Sequence, residues 1–277
     1  MGHDNVSTGK SLTVVIPVAT DIRVGRAIDS VDRQLADILV VLNGASEEVR
    51  ETVASRGVDV VDLPEANGPM ACNVGFHSAG TPYVVFLDSD CVFTKGALRT
   101  YGEAVGKGDL IRGTMIYAYH NRWQKIVAYF RSLWANNGPY ISKPSLMARV
   151  GVEKKLGGYL FDRRISWTED YDLSVRVAAA DTVRIIRAPK AKMVHDAMTM
   201  REDLRSTLRY GRGHWDGVQL GLSGYAPVTL AQGKRFNVIK TIRFDDPLAP
   251  AYAHLLNLAF WIGYKRQAIL RKKPGNL

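Results

Sequence analysis

The chain has 277 residues, 46% hydrophobic and 23% charged, with a formal net charge of +10. Length and composition exclude a disordered chain and permit one large domain or two small ones. Two cysteines, Cys72 and Cys91, exclude a disulfide framework or a clustered-cysteine metal site, and both read as small, partly buried thiols.

Residues 1–10 are polar and read as a flexible N-terminus without the apolar stretch of a signal peptide. From residue 11 the chain alternates strand-like and helix-like segments, as a βαβ architecture does. Residues 12–17 read as a buried strand and the Arg-containing stretch 24–35 as a helix. Residues 37–42 form a second strand, closed by the turn signal Asn43-Gly44. A short helix over 47–56, a third strand over 58–63, a helix over 70–78 and a fourth strand over 83–87 follow. Strands apolar on both faces and joined by helices predict a mostly parallel sheet. No G-x-G-x-x-G follows the first strand and no Walker A motif is present, which excludes the usual nicotinamide and P-loop sites.

The run 81–91, TPYVVFLDSDC, ends the fourth strand in two carboxylates, Asp88 and Asp90. In a strand, side chains two apart point the same way, so both acids would face one site. Hard oxygen ligands of this kind suit Mg²⁺ or Mn²⁺ held against a diphosphate. The same Asp-Ser-Asp triplet also reads as an ordinary turn. Ligands of open α/β sheets bind beyond the carboxyl ends of the strands, where Asn43, Asp88 and Asp90 all fall.

In the second half, residues 98–105 read as a helix, 110–119 as a strand and 121–133 as an aromatic-rich helix or pair of turns. A Gly/Pro-rich section, 136–144, precedes a helix over 170–180 whose start crowds Glu169, Asp170 and Asp172. Thr168 caps such a helix and acids in its first turn complement the dipole. Crowding also raises at least one carboxyl pKa, as a general base requires. His195 ends an apolar stretch after a strand around 183–186. It reads equally as a metal ligand and as a structural histidine. Arg201, Arg205 and Arg209 form a basic stripe on one helical face. Trp123, Tyr129, Phe130 and Trp134 line an acceptor site or pack a core.

Residues 251–264 are apolar but shorter than the ~20 residues of a spanning helix. They form a buried helix or one lying flat on a membrane. No acid follows Asp246, whereas Lys265, Arg266, Arg271, Lys272 and Lys273 crowd the end. Four segments result: the N-terminus 1–10, an alternating β/α half 11–110, a less regular half 111–225, and a helical extension with a basic tail, 226–277. Basic residues are not interleaved with aromatics in any nucleic-acid module.

The two acidic clusters, in this order, resemble the family 2 glycosyltransferases of GT-A fold. Val14-Val15-Ile16-Pro17 matches that family's opening strand, and Ile38 to Ser46 looks like its "IIVVDDGS" strand and turn. Asn67-Gly68-Pro69 through Gly75 is similar to its "N-x-G…A-R-N-x-G" segment, Asp88-Ser89-Asp90 to its D-x-D and Trp167-Thr168-Glu169-Asp170 to its T-E-D motif. Arg209 to Gly213 resembles the segment that follows.

The resemblance implies a metal-dependent, inverting transfer of one sugar from a nucleotide-diphosphate sugar, UDP-linked before GDP- or TDP-linked, to a small-molecule or lipid-linked hydroxyl. It implies Asp170, with Glu169, as the catalytic acid pair and Asp170 as the base. It implies Asp90, Asp88 and His195 around Mn²⁺ or Mg²⁺. Pro17, Ala19, Asn43, Asn67, Asn73, Ser89, Arg209 and Arg212 would join the two aspartates around the donor, and Trp167, Trp134 and Asp172 would meet the acceptor. Asn43 stands where many relatives carry Asp, and Cys72 where they carry Arg. Ser206 and Tyr210 replace the Gln and Trp of the processive synthases' Q-x-x-R-W, which favours a single-sugar transferase. The expected location is the cytoplasm, with the basic end able to touch the inner face of the membrane. The alternatives are a non-catalytic nucleotide-sugar-binding scaffold on the same fold and a nucleotidyltransferase. The second lacks its glycine-rich triphosphate loop, because 18–25 offers only Arg23 and one glycine.

Overall fold

A computed structural model describes residues 9–137, 140–228 and 246–271. Its eight strands are β1 (Leu12–Val18), β2 (Asp37–Asn43), β3 (Asp59–Leu63), β4 (Tyr83–Phe86), β5 (Cys91–Phe93), β6 (Leu110–Tyr117), β7 (Leu146–Arg149) and β8 (Ile185–His195). They form one sheet in the order β3-β2-β1-β4-β7-β6-β8-β5. The helices are α1 (Val24–Asp29), α2 (Glu47–Ala54), α3 (Gly68–Ser78), α4 (Ala97–Ala104), α5 (Arg122–Asn136), α6 (Glu169–Ala178), α7 (Met200–Gln219) and α8 (Ala249–Arg271).

The sheet's first half is parallel, as the apolar runs predict: β1 pairs in parallel with β2 and β4, and β2 with β3. Its second half is mixed, because β7 inserts antiparallel between β4 and β6, and β5 pairs antiparallel with β8. Alternate residues of β1 supply two different cores. Val14 and Ile16 pack with Val24, Ile28 and Val49 of α1 and α2 on one face, and Val15 packs with Ala71, Phe76 and Leu173 of α3 and α6 on the other. Each such fully buried side chain is worth about 1.5–3 kcal/mol of transfer free energy. A third cluster joins α5 to α8 through Ile126, Phe130, Tyr252 and Leu256.

Three expectations change. The helix over 24–35 stops at Asp29, because Ser30 Oγ donates to Ala27 O at 2.7 Å and Asp32 Oδ1 accepts from Gln34 N at 3.0 Å. These local bonds offer the backbone an alternative to another helical turn. The aromatic segment 121–133 is one helix, α5, capped by Asn121 Oδ1 accepting from Gln124 N. Cys72 and Cys91 are fully rather than partly buried. Strands β5 and β7 had no sequence signal, being three and four residues long.

Helices α7 and α8 approach closely through glycines. A Cβ on Gly211 would lie 2.1 Å from Phe260 O, and one on Gly263 would lie 2.0 Å from Leu208 O. No larger residue fits without moving one helix. Residues 1–8 of the expected flexible N-terminus, part of the Gly/Pro section, and Lys272 and Lys273 of the basic tail fall outside the described residues.

Candidate active site

The acidic pair does not lie in a strand. β4 ends at Phe86, and residues 87–90 turn, with Cys91 N donating to Asp88 O at 3.0 Å. The two-residue alternation of a strand therefore does not apply, and the two carboxylates meet different partners. Asp88 Oδ1 lies 3.2 Å from Lys143 Nζ. Asp90 Oδ2 lies 3.2 Å from His195 Nε2 and 3.6 Å from Arg23 Nη2.

The β5–β8 pairing sets the second arrangement. Cys91 stands opposite His195 in the register, and Asp196 N donates to Asp90 O at 3.0 Å. His195 Nδ1 lies 2.7 Å from Asp196 O. A carbonyl only accepts, so Nδ1 carries the proton and Nε2 faces Asp90. Burial lowers the imidazole pKa, but the hydrogen bond and charge of Asp90 outweigh it and leave the pKa raised. Burial likewise raises the Asp90 carboxyl, and His195 and Arg23 more than reverse that shift.

This donor set suits a hard or borderline divalent cation. Carboxylates and one imidazole with room for phosphate oxygens and water are what Mn²⁺ and Mg²⁺ accept. One ligand atom each from Asp90, Cys91 and His195 lies within 4.8 Å of the others. Burial pushes the Cys91 thiol well up, so it stays protonated and is not a thiolate ligand. Asp90 and His195 are the donors the chain offers, with Asp88 across the turn.

The second acidic cluster reaches the first through Lys143, which lies 4.0 Å from Glu169 Oε1 as well as beside Asp88. Burial alone would favour the neutral amine, but the carboxylates, Asp88 foremost, hold the Lys143 pKa well above its ordinary value. Burial raises the Glu169 carboxyl against the opposing charge of Lys143. Thr168 does not cap α6 with its side chain. Its Oγ1 and Glu169 Oε2 are buried without a hydrogen-bond partner among the described residues. Buried orphans of this kind mark places where a bound polar group is favoured.

Asp170, the next residue, lines a cavity of about 110 Å³ between α5, α6, α7 and α8, floored by Tyr117 of β6. Trp134, Tyr140, Trp167, Tyr171 and Tyr210 share its walls. The Trp134 and Tyr140 rings lie 5.3 Å apart and those of Tyr140 and Tyr171 5.7 Å apart, both pairs tilted. Trp167 adopts φ 73°, which turns its half-exposed ring under Arg209, 4.5 Å from the ring centroid. Tyr117 joins the cavity to the acidic turn, its ring 5.0 Å from that of His195. Arg131 pairs with buried Asp203 deep in the same wall and donates to Tyr210 Oη at 2.7 Å.

Other sequence candidates have structural partners. Asn43 Oδ1 accepts from Asn67 N at 2.7 Å, and Asn67 Oδ1 accepts from Met70 N to cap α3. Asn73 exchanges two hydrogen bonds with the backbone of Phe161. Pro17 and Ala19 are half-buried at the end of β1, and Ser89 Oγ lies 3.5 Å from Asp21 Oδ2. Arg212 is half-buried with Nε unpaired. Asp172 is 3% exposed and its carboxylate is held by Arg176 at 2.8 Å, which leaves no surface for an acceptor. Phe130 joins Trp134 in the cavity wall, whereas Trp123 is 48% exposed. Lys143 and Tyr140 escaped sequence reasoning. The one available signal was that Lys143 is the single charged residue of the stretch 136–144.

Residues 13–143 match the model of the family described as Glycosyl transferase family 2. Over those residues, just under half of the chain, the sequence is similar to glycosyltransferase family 2. The matched segment contains β1 to α5 and the acidic turn, whereas Asp170 and His195 lie beyond it. No curated protein matches the sequence. Among solved structures, the mannosyltransferase PcManGT from Pyrobaculum calidifontis in complex with GDP-Man and Mn²⁺ is 16% identical, with a TM-score of 0.58 over 96% of this chain and 76% of that one. S. aureus TarS 1–349 in complex with UDP-GlcNAc is 14% identical, with a TM-score of 0.51 over 72% of this chain and 66% of that one. Another structure of TarS 1–349 gives a TM-score of 0.53 at 13% identity, covering 95% and 91%. These likenesses show the fold, which is GT-A. The chain spans just under two thirds of the length of TarS 1–349 in the first of those alignments.

Proposed function

We propose that the chain is a metal-dependent, inverting glycosyltransferase that moves one sugar from a nucleotide-diphosphate sugar to an acceptor hydroxyl, with Asp170 as general base. One observation carries the reading. Asp170 lines an aromatic cavity whose wall residue Tyr117 has its ring 5.0 Å from that of His195, and its neighbour Glu169 is linked through Lys143 to Asp88 of the acidic turn. A donor diphosphate at the turn and an acceptor in the cavity would thus meet at Asp170.

A divalent cation bound by Asp90 and His195, with Asp88 nearby, would neutralise charge on the departing diphosphate. The chain's residues do the rest. Asp170 accepts the proton of the acceptor hydroxyl, whose oxygen bonds to the anomeric carbon from the face opposite the leaving group. The bond from that carbon to the diphosphate oxygen breaks, and its electron pair leaves with the diphosphate. Configuration inverts because attack and departure are in line. Lys143, fixed beside Asp88, adds positive charge where negative charge accumulates. The aromatic walls exclude water, which would otherwise hydrolyse the donor.

PcManGT is described with GDP-Man and Mn²⁺, and TarS with UDP-GlcNAc. Nucleotide-diphosphate sugars are accordingly the donors to test, UDP-linked first. Melting temperature is measured with UDP- and GDP-sugars in Mn²⁺ and in EDTA, because a ligand of the folded state alone raises it. Stabilisation in Mn²⁺ that EDTA removes supports the reading. A chain that no nucleotide sugar stabilises, with metal or without, is not this enzyme.

A further inference from the structure

Helix α8 buries Tyr252, Ala253, Leu256, Phe260 and Tyr264. On its outward side Leu255, Leu258, Ile262 and Ile269 are 46%, 43%, 41% and 64% exposed. At about 100° per residue these four fall within an arc of roughly 60°, in a stripe about 21 Å long. Lys265 and Arg266, both exposed, fall at the two edges of that arc. Apolar residues exposed singly are ordinary on a protein surface, but a continuous stripe with cationic borders needs a partner.

We infer that this stripe lies on an anionic lipid surface, with α8 in the plane of the interface. Charge selects that occupant. No acidic residue follows Asp246, and Lys265, Arg266, Arg271, Lys272 and Lys273 give the segment five cations. The stems of Lys265 and Arg266 run along the acyl boundary while their charged ends reach lipid phosphates. A second copy of the chain would instead bring two sets of the same cations together and repel. No helix among the described residues is long and apolar enough to cross a membrane, so α8 lies on the surface rather than through it. An aromatic at the boundary strengthens such contacts, and Trp261 sits half-buried beside Ile262.

Flotation of the full chain with vesicles tests this. Vesicles of phosphatidylcholine with phosphatidylglycerol should carry the protein, and vesicles of phosphatidylcholine alone should leave it behind. Lys265→Ser with Arg266→Ser should lower partitioning about thirty-fold, the effect of two cations at an anionic surface. Leu258→Glu with Ile262→Glu should abolish it. All four sites are exposed, and thermal melts of both double variants check that the fold persists. Three results overturn the inference: no flotation on anionic vesicles, flotation that neither double variant reduces, or a dimer in light scattering that Ile262→Glu dissolves. Donor-induced stabilisation is measured without lipid, so the transferase reading stands or falls separately.

Discussion

Lys143 Nζ lies 3.2 Å from Asp88 Oδ1, and this pair ties the loop before β7 to the acidic turn after β4. With Glu169 4.0 Å away, Lys143 is the positive centre between two acidic clusters. Lys143→Met should leave Asp88 and Glu169 facing each other without a counter-charge. Asp88 keeps some solvent, so the expected loss of stability is about 1–3 kcal/mol. Glu169, which Lys143 holds down against burial, should titrate still higher. Its folded-state pKa is already raised, so its neutral form is the one the fold favours, and that contribution fades as pH rises through the folded value. Denaturant melts at neutral pH and carboxyl-detected NMR of Glu169 measure both effects. An unchanged melt with an unchanged Glu169 titration would show that Lys143 is electrostatically idle.

Asp170→Asn keeps the size and the acceptor capacity of the side chain but removes its basicity. If Asp170 takes the acceptor proton, turnover should fall by about 10²–10⁴-fold. Donor affinity should hold, because the acidic turn is untouched. A calorimetric titration of donor in Mn²⁺ beside a single-turnover assay separates the two. Normal turnover by the variant removes Asp170 from the role of base.

The parallel half of the fold was legible because β1, β2 and β4 are buried on both faces and carry continuous apolar runs. The order of the second half was not, because β5 and β7 are too short to show periodicity and their antiparallel pairings join distant segments. The same difference divides the site. Asp88, Asp90, Glu169 and Asp170 sit in compact motifs that sequence displays directly. The partners Lys143, Arg23 and Tyr117 arrive from elsewhere in the chain, and nothing local in their sequence marks them. Strand alternation does not operate at 88 and 90: of the two readings of the Asp-Ser-Asp triplet, the turn is the one that presents the acids.

Gly213 lies where α7 passes the segment before α6. A Cβ there would stand 2.1 Å from Ser166 O and 2.9 Å from Thr168 Oγ1. Gly213→Ala should therefore displace Trp167 and Thr168, and with them the start of α6 that bears Asp170. The expected cost of overpacking is about 1–3 kcal/mol, with a loss of turnover larger than stability alone explains. Gly102→Ala, within α4 where a Cβ meets nothing within 4 Å, is the control. It should stabilise by about 0.5–1 kcal/mol. If both alanines behave alike in melting and activity, the Gly213 contact does not position the loop.

Asp246 joins the start of α8 to the start of α5. Its carboxylate accepts from Arg122 Nε at 2.7 Å and Nη2 at 3.0 Å, and from Leu248 N at 2.9 Å. The Arg122 hydrogen bonds, followed by the bond from Leu248, hold its pKa down to about 2. Because the folded value is depressed, the interaction is fully present above the ordinary carboxylate range and is lost as pH falls towards about 2. Arg122→Gln should raise the Asp246 pKa towards its ordinary value of about 3.9, with the bond from Leu248 keeping it below that value, as read by NMR of its side-chain carboxyl. Salt should do part of the same in the unaltered chain, because the pair is open to solvent. The pH at which α8 loses its hold on α5 should then rise with the Asp246 pKa, followed by amide exchange in both helices. Identical Asp246 titrations with and without Arg122 would sink the assignment of Arg122 as the cause.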